Sequence, residues 1–388
     1  MKLIYIVERF ISKRMYDSYF VDYFTQRGFT VELWSLGALQ NFTLPEVIKN
    51  DRVEQMIFKT RRSLISSLQQ LDPKNTRIIA FFPYSLKNLF IYRLISKKRI
   101  PYYLIANDIH PRTVTAKQGQ YKTFFRRLQK LNWMKIQTIL FNKIPPNVFG
   151  VRSADKIVWG GKKSELQLSL RGKTTQNVRS HVVDYDRYKA VKNQLESAHT
   201  RPYIIFIEDD PFGSPDLFYH KIKVPSAREK YYQALSQLFD SLEKTFNMPV
   251  VIALHPTQND LNISKILGNR ECYKNKTAEL VKDCSLVVLF SSFSVAFAVL
   301  FERPTLFLTV DELEAIPERA HDIQSMAQSL GKTPLNIDHP YSINNDLLLF
   351  NRDLYAQYKE NFIKQAGTRE DSFQAILADE FLTSGQKL

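Results

Sequence analysis

Short, strongly apolar runs recur along this chain, and each stops at a polar, proline-marked or glycine-marked turn. They are Leu3–Val7, Thr30–Leu33, Arg77–Phe82, Pro101–Ala106 and Lys156–Trp159, then Tyr203–Ile207, Val250–Leu254, Ser285–Phe290 and Thr305–Leu308. Continuous apolar runs this short are read as strands buried on both faces. Between them lie segments with apolar residues at helical spacing: Lys13–Arg27, closed by Gly28, then Ser85–Ile95, Ala227–Phe246, a short piece around Leu261–Leu267, and Val295–Phe301. Strands alternating with helices predict parallel, doubly wound sheets. The stretch Arg171–Arg201 is polar and lacks an apolar period, so the domain boundary is placed there, near Ala190–Thr200. The expected fold is α/β: two Rossmann-like domains facing a cleft, spanning residues 1–190 and 200–340. Two C-terminal helices within 341–388 are expected to pack back on the first domain.

Composition narrows the class. A chain of 388 residues can bury a substantial core in each of two domains. Two cysteines, Cys272 and Cys284, are too few for a disulfide framework, which fits a reducing compartment. Met1–Val7 is too short for the apolar core of a signal peptide, and no run reaches the ~18 apolar residues of a membrane span. The expectation is a cytoplasmic protein. A formal charge of +15 calls for an anionic partner. Lys122, Arg126, Arg127, Lys130, Lys135 and Lys143 are interleaved with Phe124, Phe125, Leu128, Trp133, Met134 and Phe141. A basic helix with an aromatic face reads as one that docks on an anionic membrane surface, or as an amphipathic helix packed on its own sheet. No groove-reading or base-stacking motif points to nucleic acid.

The residues with chemical potential sit at strand ends. In a parallel α/β sheet the carboxyl ends of the strands face one crevice, where ligands bind. Glu208-Asp209-Asp210 follows the strand Tyr203–Ile207. Clustered carboxylates raise one another's pKa, which suits one of them to accept a proton. Their rival role as metal ligands lacks an accompanying His or Cys set, so no metal is expected. His255-Pro256 ends Val250–Leu254. The proline holds His255 extended, so that its imidazole can reach a phosphate or stabilise charge on a leaving nucleotide. Ser291-Ser292-Phe293-Ser294 leads into a helix, where capping serines and free amides attract phosphate. In the first half, Glu8, Asp108 or His110 could serve as base toward an acceptor hydroxyl. The loop Gly160-Gly161-Lys162-Lys163-Ser164 lacks the Walker A spacing, and no G-x-S-x-G elbow appears.

Residues 203–309 resemble a group of bacterial surface-polysaccharide biosynthesis proteins of the GT-B architecture. The likeness is carried by Phe206-Ile207-Glu208-Asp209 with Pro215-Asp216, by Val251–Pro256, and by Ser291–Ser294 leading to Arg303-Pro304-Thr305-Leu306-Phe307. Asp184–Tyr188 is also similar. The His-Pro and Ser-Ser pair is similar to motifs of bacterial sialyltransferases and of transferases using CMP-activated ulosonic acids. The resemblance implies that His255, Ser291 and Ser292, with Pro256 and Ser294 beside them, hold the CMP phosphate. It also implies an acidic catalytic base, although Glu208-Asp209-Asp210 lacks the glycine that follows in those families. The reaction expected is metal-independent transfer from a nucleotide sugar, with no bound cofactor. The donor would be a CMP-linked nonulosonic acid (sialic, pseudaminic or legionaminic acid) or Kdo. The acceptor would be a glycan or lipid-linked glycan of capsule or lipopolysaccharide. The alternatives are a UDP-sugar transferase, a UDP-sugar epimerase, and a non-catalytic assembly protein.

Overall fold

The computed structural model describes residues 1–11, 13–42, 54–106, 111, 141, 144–166, 169–195, 199, 201–209, 228–256, 258 and 263–383. Two sheets carry the fold, and every strand pair in both is parallel. The first holds β1 (Lys2–Val7), β2 (Thr30–Ser35), β3 (Glu54–Ile57), β4 (Thr76–Phe81), β5 (Tyr102–Ala106), β6 (Lys156–Trp159) and β7 (Gln176–Arg179) in the order β3-β2-β1-β4-β5-β6-β7. The second holds β8 (Ile204–Ile207), β9 (Val250–Leu254), β10 (Cys272–Lys274), β11 (Leu286–Leu289), β12 (Thr305–Thr309) and β13 (Leu335–Asn336) in the order β10-β9-β8-β11-β12-β13.

The apolar runs account for every interior strand of both sheets. The four strands that sequence reading did not anticipate are the four edges, β3, β7, β10 and β13. Interior strands are buried on both faces: Ile4 and Ile6 pack to one side of the first sheet, Leu3, Tyr5 and Val7 to the other. In the second, Ile204 and Phe206 face one core, Tyr203, Ile205 and Ile207 the other. An edge strand needs no such continuous run. In β7 only Val178 is buried, and β13 is half-buried throughout.

Several helices differ from expectation. The predicted helix Lys13–Arg27 is two helices, Lys13–Ser18 and Val21–Gln26, broken at Phe20, which is left-handed at φ 55°. Its ring lies against Phe373 at 5.9 Å, so a tertiary contact accompanies the break. The helices Arg61–Gln70, Val183–Val191, Thr277–Asp283 and Pro317–Ser329 were not anticipated.

Two segments cross between the domains. Val182, Tyr185 and Val191 pack in the core of the second sheet, so by packing the chain leaves the first domain near Val182, ahead of the stretch near 190–200 where sequence places the boundary. In return, Phe373, Ile376, Leu377 and Phe381 of the helix Phe373–Thr383 pack on the first sheet. The crossing strands meet where Val182 N donates to Ile363 O at 3.0 Å. Beside them His181, fully buried, has its ring nitrogens 2.9 Å from Val182 O and Asp371 O.

Candidate functional site

The three polar motifs of the second half converge at the carboxyl ends of β8, β9 and β11, which are adjacent in the sheet. The two described acids after β8 point sideways, each onto a neighbouring loop. Glu208 is 2 % exposed. Its carboxylate accepts the backbone N–H of His255 at 3.0 Å and the Nε2 of Gln258 at 3.3 Å. Asp209 accepts the backbone N–H of Ser291 at 3.0 Å and is hydrogen-bonded by the Ser292 side chain. One carboxylate therefore fastens the His-Pro loop and the next fastens the Ser-Ser turn. Both bonds are charge-assisted and join segments far apart in sequence.

Burial pushes the Asp209 carboxyl above its usual range; the Ser291 amide, the Arg319 guanidinium and Ser292 pull the other way without cancelling the shift. Tyr231 lies under the same acids, its hydroxyl pushed well up by burial and by the charges of Glu208 and Asp209. Its ring stacks on Phe290 at 5.6 Å, so the end of β11 rests on the helix Arg228–Phe246.

His255 is half-buried, and its carbonyl accepts from Gln258 N at 2.9 Å, closing a tight turn around Pro256. The Ser291–Ser294 turn differs from the expectation of a helix start with free amides. Ser294 N donates to Ser292 Oγ at 3.4 Å, and the amides of Val295, Ala296 and Phe297 are taken by the carbonyls of Ser292, Phe293 and Ser294. The helix that follows, Val295–Leu300, is also short and buried throughout. The turn therefore offers an anion less than a full fan of N–H groups, since the amides from Ser294 to Phe297 are taken within it.

The other sequence candidates fall elsewhere. Asp210, Asp108 and His110 lie outside the described residues, as does the basic stretch 112–140. Phe141, at its end, is buried against Tyr84 and Phe149 with ring centroids 4.8 and 5.0 Å away. Glu8 follows β1, with its amide bonded to Phe81 O at 3.1 Å. The glycine-rich loop is structural. A Cβ at Gly161 would sit 2.3 Å from the backbone of Asn361 and Phe362, so only glycine lets the C-terminal segment close on the end of β6. Ser164, fully buried, accepts the Gly161 N–H at 3.2 Å.

Sequence reasoning missed Gln258, Tyr231 and Arg319. Gln258 was within reach, three residues after His255; the other two lie on helices whose register only the fold sets. Among the described residues no cluster of His, Cys, Asp or Glu is arranged to hold a metal ion, and no helix is long and apolar enough to cross a membrane.

Two parallel α/β domains whose strand ends carry polar loops, tied together by a returning C-terminal helix, make the GT-B fold. Solved structures share it along the full chain. A variant of the wall teichoic acid polymerase TagF superposes with a TM-score of 0.52 at 10% identity, covering 100% of this chain and 90% of that one. The calicheamicin glycosyltransferase CalG4 gives 0.50 at 10% identity, covering 100% and 98%. MurG of Acinetobacter baumannii gives 0.48 at 10% identity, covering 100% of each chain. No protein-family model matches the chain, and no curated protein sequence does.

Proposed function

We propose that this protein is a glycosyltransferase of bacterial surface-polysaccharide assembly, transferring a sugar from a nucleotide donor to a glycan or lipid-linked glycan. The observation that carries this reading is the pair of loops at the ends of β9 and β11, each held by an acid from the end of β8. Such bracing keeps His255 and the hydroxyls of Ser291, Ser292 and Ser294 in fixed positions before any ligand arrives. Preorganised donors of this kind stabilise charge that develops on a leaving phosphate. Pro256 holds the loop's turn.

Glu208 and Asp209 are already engaged with backbone amides, which fits them for positioning these loops. The base toward the acceptor hydroxyl is then assigned to Asp108 on the first domain. The donor proposed is CMP-linked, a nonulosonic acid or Kdo, on the strength of the His-Pro and Ser-Ser motifs. The reaction proposed needs neither metal nor cofactor, since hydroxyls, imidazole and Arg319 can meet a phosphate unaided.

The test is a melting screen with CMP, UDP, GDP and dTDP in EDTA. A ligand at a hundred times its dissociation constant adds about 2.7 kcal/mol, which is readily measured. CMP is expected to shift melting most, with the shift unchanged by the chelator. A larger shift with UDP overturns the donor assignment, and a shift restored only by magnesium or manganese overturns metal independence.

A cytoplasmic enzyme working on lipid-linked acceptors would also dock through residues 121–141. Vesicle binding should then rise with anionic lipid and fall with salt, at about 1 kcal/mol per basic residue near the surface. Unchanged binding after Arg126, Arg127 and Lys130 are replaced by Glu would refute that.

A further inference from the structure

The chain crosses between the domains twice, and the two crossings are joined at one buried imidazole. His181 follows β7, where the chain leaves the first sheet. Asp371 lies just ahead of the helix Phe373–Thr383, which brings the chain back to it. The His181 side chain is 0 % exposed. Its Nδ1 lies 2.9 Å from Val182 O and its Nε2 2.9 Å from Asp371 O, and its backbone bridges to Lys364 in antiparallel fashion.

Both facing atoms are carbonyl oxygens, which can only accept. A neutral imidazole has one N–H and one bare lone pair, so it can satisfy one contact and must set its lone pair against oxygen in the other. Two contacts at hydrogen-bonding distance therefore call for a proton on each nitrogen. The carbonyls do not depend on the ring, since Val182 O also accepts from Tyr185 N at 3.0 Å and Asp371 O from Lys189 Nζ at 3.2 Å. Loss of a proton thus falls on the ring, as a lone pair facing a lone pair.

The charges around the ring come from both crossings. From its own side come Tyr185, with its ring 5.0 Å away, Asp186, with Oδ1 3.8 Å from Nε2, and Lys189, paired with Asp186 at 3.0 Å. The returning segment contributes Lys364 and Glu370, paired at 2.8 Å, and Arg369 and Asp371, paired at 2.7 Å. Glu370 also accepts from the Tyr185 hydroxyl at 3.1 Å, and Asp186 from Phe373 N at 2.7 Å. Each cation here has its own carboxylate, and Asp186 is the acid that stands closest to the ring. A buried charge is tolerated where it is hydrogen-bonded and has a counter-charge nearby, and this ring has both.

We infer that His181 is a proton-operated latch. With both nitrogens protonated it clasps the outgoing chain to the returning segment; loss of one proton opens the clasp and loosens the helix Phe373–Thr383 from the first sheet. The clasp is complete at acid pH and is lost as pH rises and the proton departs.

The test follows the full chain, with nitrogen-15 in its histidine rings, by NMR from about pH 5 to 9. Contacts with the Tyr185 and Phe373 rings assign the His181 signals. Amide-exchange protection factors, which remove the intrinsic pH dependence of exchange, are measured over the same range. At the acid end both His181 nitrogens should carry protons. As one is lost, protection of Phe373–Thr383 should fall about tenfold or more, while that of the helix Arg228–Phe246 holds level. In His181→Gln, which has no titrating ring, that step should vanish. One bare nitrogen at the acid end overturns the inference, and so does a ring that keeps both protons throughout. Protection that ignores the ring's deprotonation, an equal fall in Arg228–Phe246, or a step that persists in His181→Gln would overturn it as well. Should the variant fail to fold, the wild-type ring signals and protection factors decide alone.

Discussion

The carboxyl ends of the two sheets are built in opposite ways. At the second sheet, acids spend their charge inside the protein: Glu208 and Asp209 are tied to backbone amides on the flanking loops and so join three strand ends. At the first sheet, Arg61 and Lys87 are exposed near the ends of β2 and β4, and among the described residues neither is paired with a carboxylate, while the loop at Gly161 after β6 is sealed by the C-terminal segment. The contrast separates three uses of residues at strand ends. An acid can brace a loop, a cation can stand in solvent, and a glycine can let another part of the chain close over the end.

The sharpest way to break the comparison is at Gly161. Substitution by Ala drives a Cβ into the Asn361–Phe362 backbone, so the C-terminal segment must move. We expect a loss of about 3 kcal/mol in stability by chemical denaturation, at the upper end of what overpacking costs. A cost below about 0.5 kcal/mol would mean that the segment is not clamped and the loop is available for ligand.

Next in size is His255→Ala. With the loop still held by Glu208 through the backbone amide, the fold should persist while turnover falls roughly hundredfold, the effect of losing one preorganised donor. Steady-state kinetics on a variant with wild-type melting behaviour decides it, and unchanged turnover would reduce His255 to a loop residue.

The smallest effect is expected from Asp209→Asn. Asparagine can still accept the Ser291 amide, so the turn should hold its shape. Because the folded-state pKa of Asp209 lies above its ordinary value, this group favours folding fully below its unfolded pKa. That contribution is lost as pH rises through the folded value. The variant should therefore gain stability relative to wild type as pH climbs from about 4 toward neutrality. Melting curves across that range check the sign, and a variant that weakens as pH rises would show the carboxylate to be stabilising in its charged form. Turnover that collapses while nucleotide binding stays intact would return Asp209 to the role of base.

What the sequence determined by itself was the interior of each sheet and the ends of its strands. A strand covered on both faces must be apolar at consecutive positions, and that density is local, visible in five residues. The same runs located Glu208, His255 and Ser291 at the ends of three strands that the sheet order makes neighbours. Edge strands stayed hidden because one side of their ladder faces no strand and their side chains are only partly covered, as in β7 and β13. The roles of the acids were also beyond local reading. The partners of Glu208 and Asp209 lie 47 and 82 residues away, and only the parallel register of β8 with β9 and β11 brings them together. A run of carboxylates reads as reactive when its hydrogen-bond donors are unknown; the tertiary structure supplied those donors, and with them the difference between a base and a brace.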